Sequence, residues 1–350
     1  MKIVHILNSV SGKGNGIVCA TVDLACEQAA LGHQVYAISR GGEFLPLLEG
    51  RGVKHIVVNQ ARHPLTILKA IFKINRAIKE IQPDIVHAHM MTGVVLARIL
   101  KIKNGIPLVA TVHNAWQRSS FVMGLADRVI AVSGNVKETM INRGVPGKKI
   151  EVVRNGTVGS IRLNDNDAPN LFLQRPSIAT VAGLYKRKGI TCLIKAFALV
   201  KKEIPTAHLY IVGEGEDRPV FEADAHGSGV SDSIHFEGFQ PHPKAYLRQT
   251  DVFVLASHQE PFGLVLSEAR DAGCAVVGSN VDGIPEVLEN GKAGQLFESG
   301  DHAALANIVI DILKNPERLS YWKAQAKTNI EWLSVRRMCQ ETLKVYEILT

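Results

Sequence analysis

Glu260 and Glu268 stand eight positions apart, and Pro261-Phe262-Gly263-Leu264 follows the first of them. The apolar run Val252-Phe253-Val254-Leu255-Ala256 ahead of the pair has the character of a buried parallel strand. Beyond Gly263 the apolar residues Leu264, Leu266, Ala269 and Ala272 do not alternate, which predicts a helix. A helix start presents unpaired N–H groups and the positive end of the dipole, and both favour a phosphate. Gly263 lets an anion approach the backbone closely. Carboxylates repel phosphate, so two acids make chemical sense here if they hydrogen-bond hydroxyl groups on either side of it. A ribose and a transferred sugar would offer such hydroxyls. The same pair of acids also describes a solvated first helical turn favoured by the dipole.

The remaining chain alternates strands and helices. Residues 2–7 read as a strand, 17–31 as a helix ended by Gly32-His33, and 34–39 as a second strand. The loop at 8–16 is rich in glycine and forms a nest of backbone donors. It lacks the dinucleotide fingerprint, because Ile17 sits where a third glycine is needed after Gly12 and Gly14. Residues 65–82 predict an amphipathic helix with Ile67, Ile71, Ile74, Ile78 and Ile81 on one face and Lys69, Lys73 and Arg76 on another. The cationic face reads either as ordinary solvated surface or as a contact for a membrane surface. Strands at 84–89 and 108–114 end in His89 and His113, where ligands sit in parallel sheets. Strands at 129–133 and 150–153 complete this half. A second alternation starts at 177, and its first loop, Leu184-Tyr185-Lys186-Arg187-Lys188-Gly189, sets three cations before a helix at 190–202. Cations there suit a diphosphate better than they suit the helix dipole.

With 350 residues the chain suits two domains of ordinary size. A hydrophobic content of 46% and a charged content of 21% exclude a disordered chain. No apolar run approaches the roughly 20 residues of a spanning helix, and the N-terminus reads as a first strand, not a signal peptide. The five cysteines form no C-x-x-C pair and read as small core residues of a reducing compartment, not as metal ligands. Residues 1–165 hold 21 lysines and arginines against 10 acids, whereas the remainder holds 19 against 23. The basic half suits an anionic membrane surface or a phosphorylated acceptor. No aromatic RNA-binding motif or zinc finger points to nucleic acid. The chain is expected in the cytoplasm, with peripheral attachment at the inner face of the membrane.

Glu260 and Glu268, with Phe262 and Gly263 between them, resemble the E-x7-E motif of the family-4 retaining glycosyltransferases. Ala269-Arg270-Asp271-Ala272-Gly273-Cys274 resembles that family's helix-to-strand turn, and Asp282-Gly283-Ile284-Pro285-Glu286 is similar to its G-G-x-P-E segment. The resemblance implies an α/β fold of the GT-B type, in which two Rossmann-like domains with parallel sheets face each other across a cleft. The expected limits are 1–160 for an acceptor domain, 161–176 for a linker and 177–330 for a nucleotide-sugar domain. A terminal helix in 331–350 crosses back to the first domain.

The resemblance also implies roles. Glu260, His113 and Lys188 are the catalytic group. Gly16, Gly183, Lys188, Gly213, Phe262, Gly263, Leu264 and Glu268 bind the donor, and Gly14, Asn15 and His89 bind the acceptor. No metal and no other cofactor is implied. The family's arginine is replaced by Leu184, which leaves open whether Lys186 or Arg187 substitutes for it. The implied activity is retaining, metal-independent transfer of a sugar from a nucleotide-sugar, UDP among the candidates, to a glycan or lipid-linked acceptor of cell-envelope polysaccharide or lipopolysaccharide type. A sugar-nucleotide epimerase, which needs no acceptor, and a non-catalytic nucleotide-binding module are the competing readings.

Overall fold

The computed structural model describes residues 1–12, 15–61, 63–163 and 170–350. They form two compact units, one of Met1–Arg162 with Leu333–Thr350 and one of Leu163–Trp332. In the first unit β1 (Lys2–Ile6), α1 (Gly16–Ala30), β2 (Gln34–Ser39), α2 (Leu45–Gly50), β3 (Lys54–Val57), α3 (Pro64–Ile81) and β4 (Ile85–Ala88) follow one another. They continue into α4 (Met91–Asn104), β5 (Leu108–Val112), β6 (Arg128–Ala131), α5 (Gly134–Asn142) and β7 (Ile150–Val152). The second unit runs β8 (Ser177–Val181), α6 (Ile190–Glu203), β9 (His208–Val212), α7 (Arg218–Gly227), β10 (Ile234–Gly238), α8 (Pro243–Gln249) and β11 (Val252–Leu255). After these come α9 (Leu264–Ala272), β12 (Ala275–Ser279), α10 (Ile284–Val287), β13 (Gln295–Phe297), α11 (His302–Lys314) and α12 (Pro316–Lys327). The last helix, α13 (Val335–Glu347), belongs to the first unit.

Each unit is built on one parallel sheet. The orders are β3-β2-β1-β4-β5-β6-β7 and β10-β9-β8-β11-β12-β13. The inner strands β4, β5, β11 and β12 are buried along their whole length, which explains why they read as continuous apolar runs instead of alternating. Strand order reverses between β1 and β4 in one sheet and between β8 and β11 in the other. The loops leaving the carboxyl ends of these strands therefore border the crevice in which open α/β sheets bind ligands.

The returning chain is tied to the first unit by its backbone. Leu333 O accepts from the N–H groups of Thr157 and Val158 at 2.8 and 3.1 Å, and Val335 N–H donates to Val158 O at 2.9 Å. A Cβ on Gly156 would lie 2.2 Å from Ser334 O, so only glycine permits this approach. Val335, Met338, Cys339 and Tyr346 of α13 share a core with Ile3, Ile85, Val109 and Ile130.

Candidate active site

In the second unit the two loops of the switch point are pressed together. Gly189 has φ +66°, and a Cβ there would come within 1.9 Å of Ala256 O at the end of β11. His258 N–H donates to Arg187 O at 2.7 Å across the same seam. On the other flank, Glu260 N–H donates to Asp282 Oδ2 at 2.8 Å and Glu260 O accepts from Gly283 N–H at 3.0 Å. A Cβ on Gly283 would meet Pro261 O at 2.2 Å. This clamping brings Lys188 Nζ to 2.5 Å from Glu260 Oε2, with side chains only 13% and 12% exposed. The pair lies where β8 and β11 diverge, beside the start of α9, which has Gly263 at φ 95° and no side-chain cap. A cation, a carboxylate and an uncapped helix start thus converge at the end of the sheet. That arrangement can receive a diphosphate and a hydroxyl together.

Phe262, Leu264 and Glu268 belong to the same loop and helix as Gly263. Leu264 opens α9, Phe262 is buried, and Glu268 is held at 9% exposure within the helix. The buried guanidinium of Arg270 fixes that helix. It donates to Val287 O at 2.6 Å, Thr328 O at 2.7 Å and Ala326 O at 2.8 Å, and pairs with Glu289 at 2.8 Å. Gly213, at φ +139°, has room for no Cβ, because Ala182 O would be 1.9 Å away. Its identity therefore follows from packing of the loops after β8 and β9.

Leu184 corrects an expectation. It is fully buried in the core with Ile178, Ile190 and Phe221, so position 184 does not face a ligand and a cation there would be enclosed by apolar side chains. Its neighbour Gly183 is half-buried, and a Cβ there would meet the ring of Tyr185 at 2.8 Å. Arg187 lies over that ring, 5.6 Å from its centroid.

In the first unit Gly14 lies outside the described residues. Gly16 is the first residue of α1, and Asn15 caps that helix, its Oδ1 accepting from Ile17 N–H at 3.2 Å and Val18 N–H at 3.5 Å. His113 follows β5 and joins a buried network. His113 Nε2 is 3.1 Å from His89 Nδ1, His89 Nε2 is 2.9 Å from His5 Nδ1, and His5 Nε2 is 2.7 Å from Gln28 Oε1. A second arm runs from Gln28 Nε2 to Tyr346 OH at 3.3 Å, on to His87 Nδ1 at 2.6 Å, and from His87 Nε2 to Thr111 Oγ1 at 2.7 Å. Burial lowers the pKa of His5 to about 4 and of His113 to about 3, and lowers His87 and His89 well below the usual imidazole range. His89, expected at the acceptor, is buried, and its two ring nitrogens are engaged by His5 and His113. Among the described residues, His5, His87 and His89 bring ligating nitrogens within 4.8 Å of one another. All six of their ring nitrogens already form hydrogen bonds, which a metal would have to displace.

Two family models match this chain. Glycosyltransferase Family 4 covers residues 14–158, and Glycosyl transferases group 1 covers residues 162–329. The chain belongs to the family-4 glycosyltransferases. Relatives of this glycosyltransferase include the glycogen synthase of Mycobacterium tuberculosis, 29% identical over 73% of the chain and 67% of that protein. N-acetyl-alpha-D-glucosaminyl L-malate synthase of Bacillus anthracis is 26% identical over 87% of the chain and 85% of its own length. The crystal structure of Anabaena HepE in complex with UDP and glucose superposes with a TM-score of 0.85, covering 99% of this chain and 100% of that one at 21% identity. The glycosyltransferase thus has the GT-B fold, with a seven-stranded and a six-stranded parallel sheet.

Sequence reasoning missed Gln28, His5, His87, Thr111 and Tyr346 as parts of one network in this glycosyltransferase. His5 and His87 face each other across the β1–β4 register, and no local pattern announces that pairing. The recurrence of histidine at positions 87 and 89, two residues apart on a buried strand, was the available signal.

Proposed function

We propose that this glycosyltransferase is a retaining, metal-independent enzyme that transfers a sugar from a UDP-type donor to a glycan or lipid-linked acceptor in cell-envelope polysaccharide or lipopolysaccharide synthesis. The observation that carries this reading is the Lys188–Glu260 pair at the switch point beside the uncapped start of α9. Lys188 and the backbone at Phe262, Gly263 and Leu264 take up the charge of the leaving diphosphate, in place of a metal. Glu268 holds the ribose hydroxyls. Glu260 orients the transferred sugar, and His113 hydrogen-bonds one of its hydroxyls. The bond from the sugar's anomeric carbon to the phosphate oxygen breaks as the bond to the acceptor oxygen forms on the same face. The acceptor's proton passes to the departing phosphate. The HepE complex with UDP and glucose supports a UDP donor, and the glycogen synthase relative supports a glycan acceptor.

A thermal-shift screen over UDP, GDP and ADP sugars tests the donor, because a ligand of the folded state raises the melting temperature by mass action. The expected result is a shift with UDP-sugars, followed by turnover that requires an acceptor and survives a chelator. Turnover without acceptor would instead identify an epimerase. Glu268→Ala is expected to weaken UDP binding by about 1–3 kcal/mol, the worth of hydrogen bonds to a charged group. Calorimetry with free UDP reads this, and equal affinity in the two proteins rejects the ribose assignment.

The surface of α3 supports a lipid-linked acceptor and peripheral attachment at the cytoplasmic face. Leu65, Leu68 and Phe72 are exposed by 68%, 55% and 69%. Lys69, Lys73 and Arg76, also exposed, run beside them along the helix, and Arg76 pairs with Glu80 at 2.7 Å. An apolar stripe flanked by cations suits the interface of an anionic bilayer. Among the described residues no helix is long and apolar enough to cross a membrane. Each cation near an anionic surface contributes about 1 kcal/mol. Reversing Lys69, Lys73 and Arg76 to glutamate should therefore weaken binding to phosphatidylglycerol vesicles, read by sedimentation, by at least about 100-fold, leaving UDP-sugar binding intact. Wild-type sedimentation by the triple variant would make α3 an ordinary solvated helix.

A further inference from the structure

Gln28, on α1, is the junction of the two arms of the histidine network. Its carbonyl oxygen is 2.7 Å from His5 Nε2, and its amide nitrogen is 3.3 Å from Tyr346 OH. The oxygen can only accept and the nitrogen can only donate, so His5 carries its proton on Nε2. A neutral imidazole has one N–H and one bare nitrogen. His5 Nδ1 is therefore bare, and the 2.9 Å bond to His89 is donated by His89 Nε2–H. The same rule makes His89 Nδ1 bare, so the 3.1 Å bond is donated by His113 Nε2–H. His113 is left with a bare Nδ1. Along the second arm the Tyr346 oxygen accepts from Gln28 and gives its own proton to His87 Nδ1. His87 Nε2–H then donates to Thr111 Oγ1 at 2.7 Å. Reversing one bond requires turning the Gln28 amide and reversing every other bond in both arms. The network is therefore stiffer than a single hydrogen bond.

We infer that Gln28 is a positioning residue which, through His5 and His89, holds His113 in the Nε2–H tautomer, so that this ring meets a ligand only as a hydrogen-bond acceptor at Nδ1. Its functional consequence rests on the proposed contact of His113 with the transferred sugar; its geometry does not. A bare Nδ1 at the end of β5 accepts a sugar hydroxyl and repels a phosphate or carboxylate oxygen, which also presents lone pairs. The network thereby selects which group of a sugar-phosphate ligand lies against His113. Burial keeps all four rings neutral at neutral pH, which the one-proton rule requires.

Long-range proton–nitrogen correlation spectra of the full-length protein, labelled with 15N-histidine at neutral pH and without ligand, read the tautomer directly. His113 is expected as the Nε2–H form alone. Gln28→Met should lose this preference and give a mixture at His113. Gln28→Glu, whose carboxyl oxygen still accepts from His5, should keep it. Turnover should follow, with kcat about tenfold lower in Gln28→Met, KM little changed, and near-normal kcat in Gln28→Glu. An Nδ1–H form or a mixture at His113 in the wild type overturns the inference, as does an unchanged tautomer in Gln28→Met. Should Gln28→Met fail to fold, the wild-type and Gln28→Glu spectra still decide. If the tautomer is as stated but His113→Ala turns over normally, the sugar contact falls and the tautomer assignment stands.

Discussion

Lys188→Ala is expected to slow sugar transfer by about 10²–10³, the usual cost of removing one preorganised donor from developing negative charge. The reason lies in where the ammonium sits. It is held 2.5 Å from Glu260 and is largely shielded from water, so its field on a leaving diphosphate is weakly screened. With Leu184 in the core, no side chain at that position shares the charge. Removing Lys188 also leaves the Glu260 carboxylate facing an incoming phosphate without its cation. The two residues should therefore act as a unit. The double variant Lys188→Ala/Glu260→Ala should be little worse than the poorer single variant, a non-additivity typical of contacting groups. Single-turnover rates with saturating donor measure this. A normal rate for Lys188→Ala would remove the diphosphate site from this loop, and fully additive losses would show that the ion pair has no part in transfer.

The first unit is expected to unfold in mild acid, well before carboxylates titrate. His5 and His113 have folded pKa values of about 4 and 3, and His87 and His89 are also lowered, all chiefly through burial. The unfolded chain has histidines near 6.5. Below that pH the unfolded state binds protons that the folded unit refuses, so stability falls with pH. The stabilisation is complete above about pH 6.5 and is lost as pH falls towards 4 and then 3. Each histidine contributes a slope of at most about 1.4 kcal/mol per pH unit in that window. Four together approach the ~5–15 kcal/mol of a whole domain within two pH units. The partners seen by these rings are Gln28, Thr111, Tyr346 and one another, all uncharged when the rings are neutral. Hydrogen exchange should report loss of protection in β1, β4 and β5 between pH 6.5 and 4.5. Protection in those strands that stays level down to pH 4.5 rejects the account.

Much of the architecture was legible because its signals are local. Continuous apolar runs marked β4, β5, β11 and β12, and a stripe of isoleucines marked α3, since burial on two faces or on one leaves a period in the chain itself. Gly263 between Glu260 and Glu268 located the start of α9 for the same reason: a positive φ before a helix needs glycine, and the demand falls on a single residue. The partnerships were not legible. Lys188 and Glu260 meet across 72 positions because a glycine at 189 lets the two loops touch, and neither side chain's type names the other. Gln28 comes from helix α1, His5 from strand β1, and His89 and His113 from the residues just past the ends of β4 and β5. Their hydrogen bonds exist only because β1 lies beside β4 and β4 beside β5 in a particular register. Leu184, read from the sequence as a missing cation, points inward because of how its strand end turns. Sequence by itself determined which segments become strands and helices and where a phosphate-friendly helix start would be. Only the tertiary structure decided which side chains share a proton or a charge, since sheet order and register are set by packing between segments and leave no period within one.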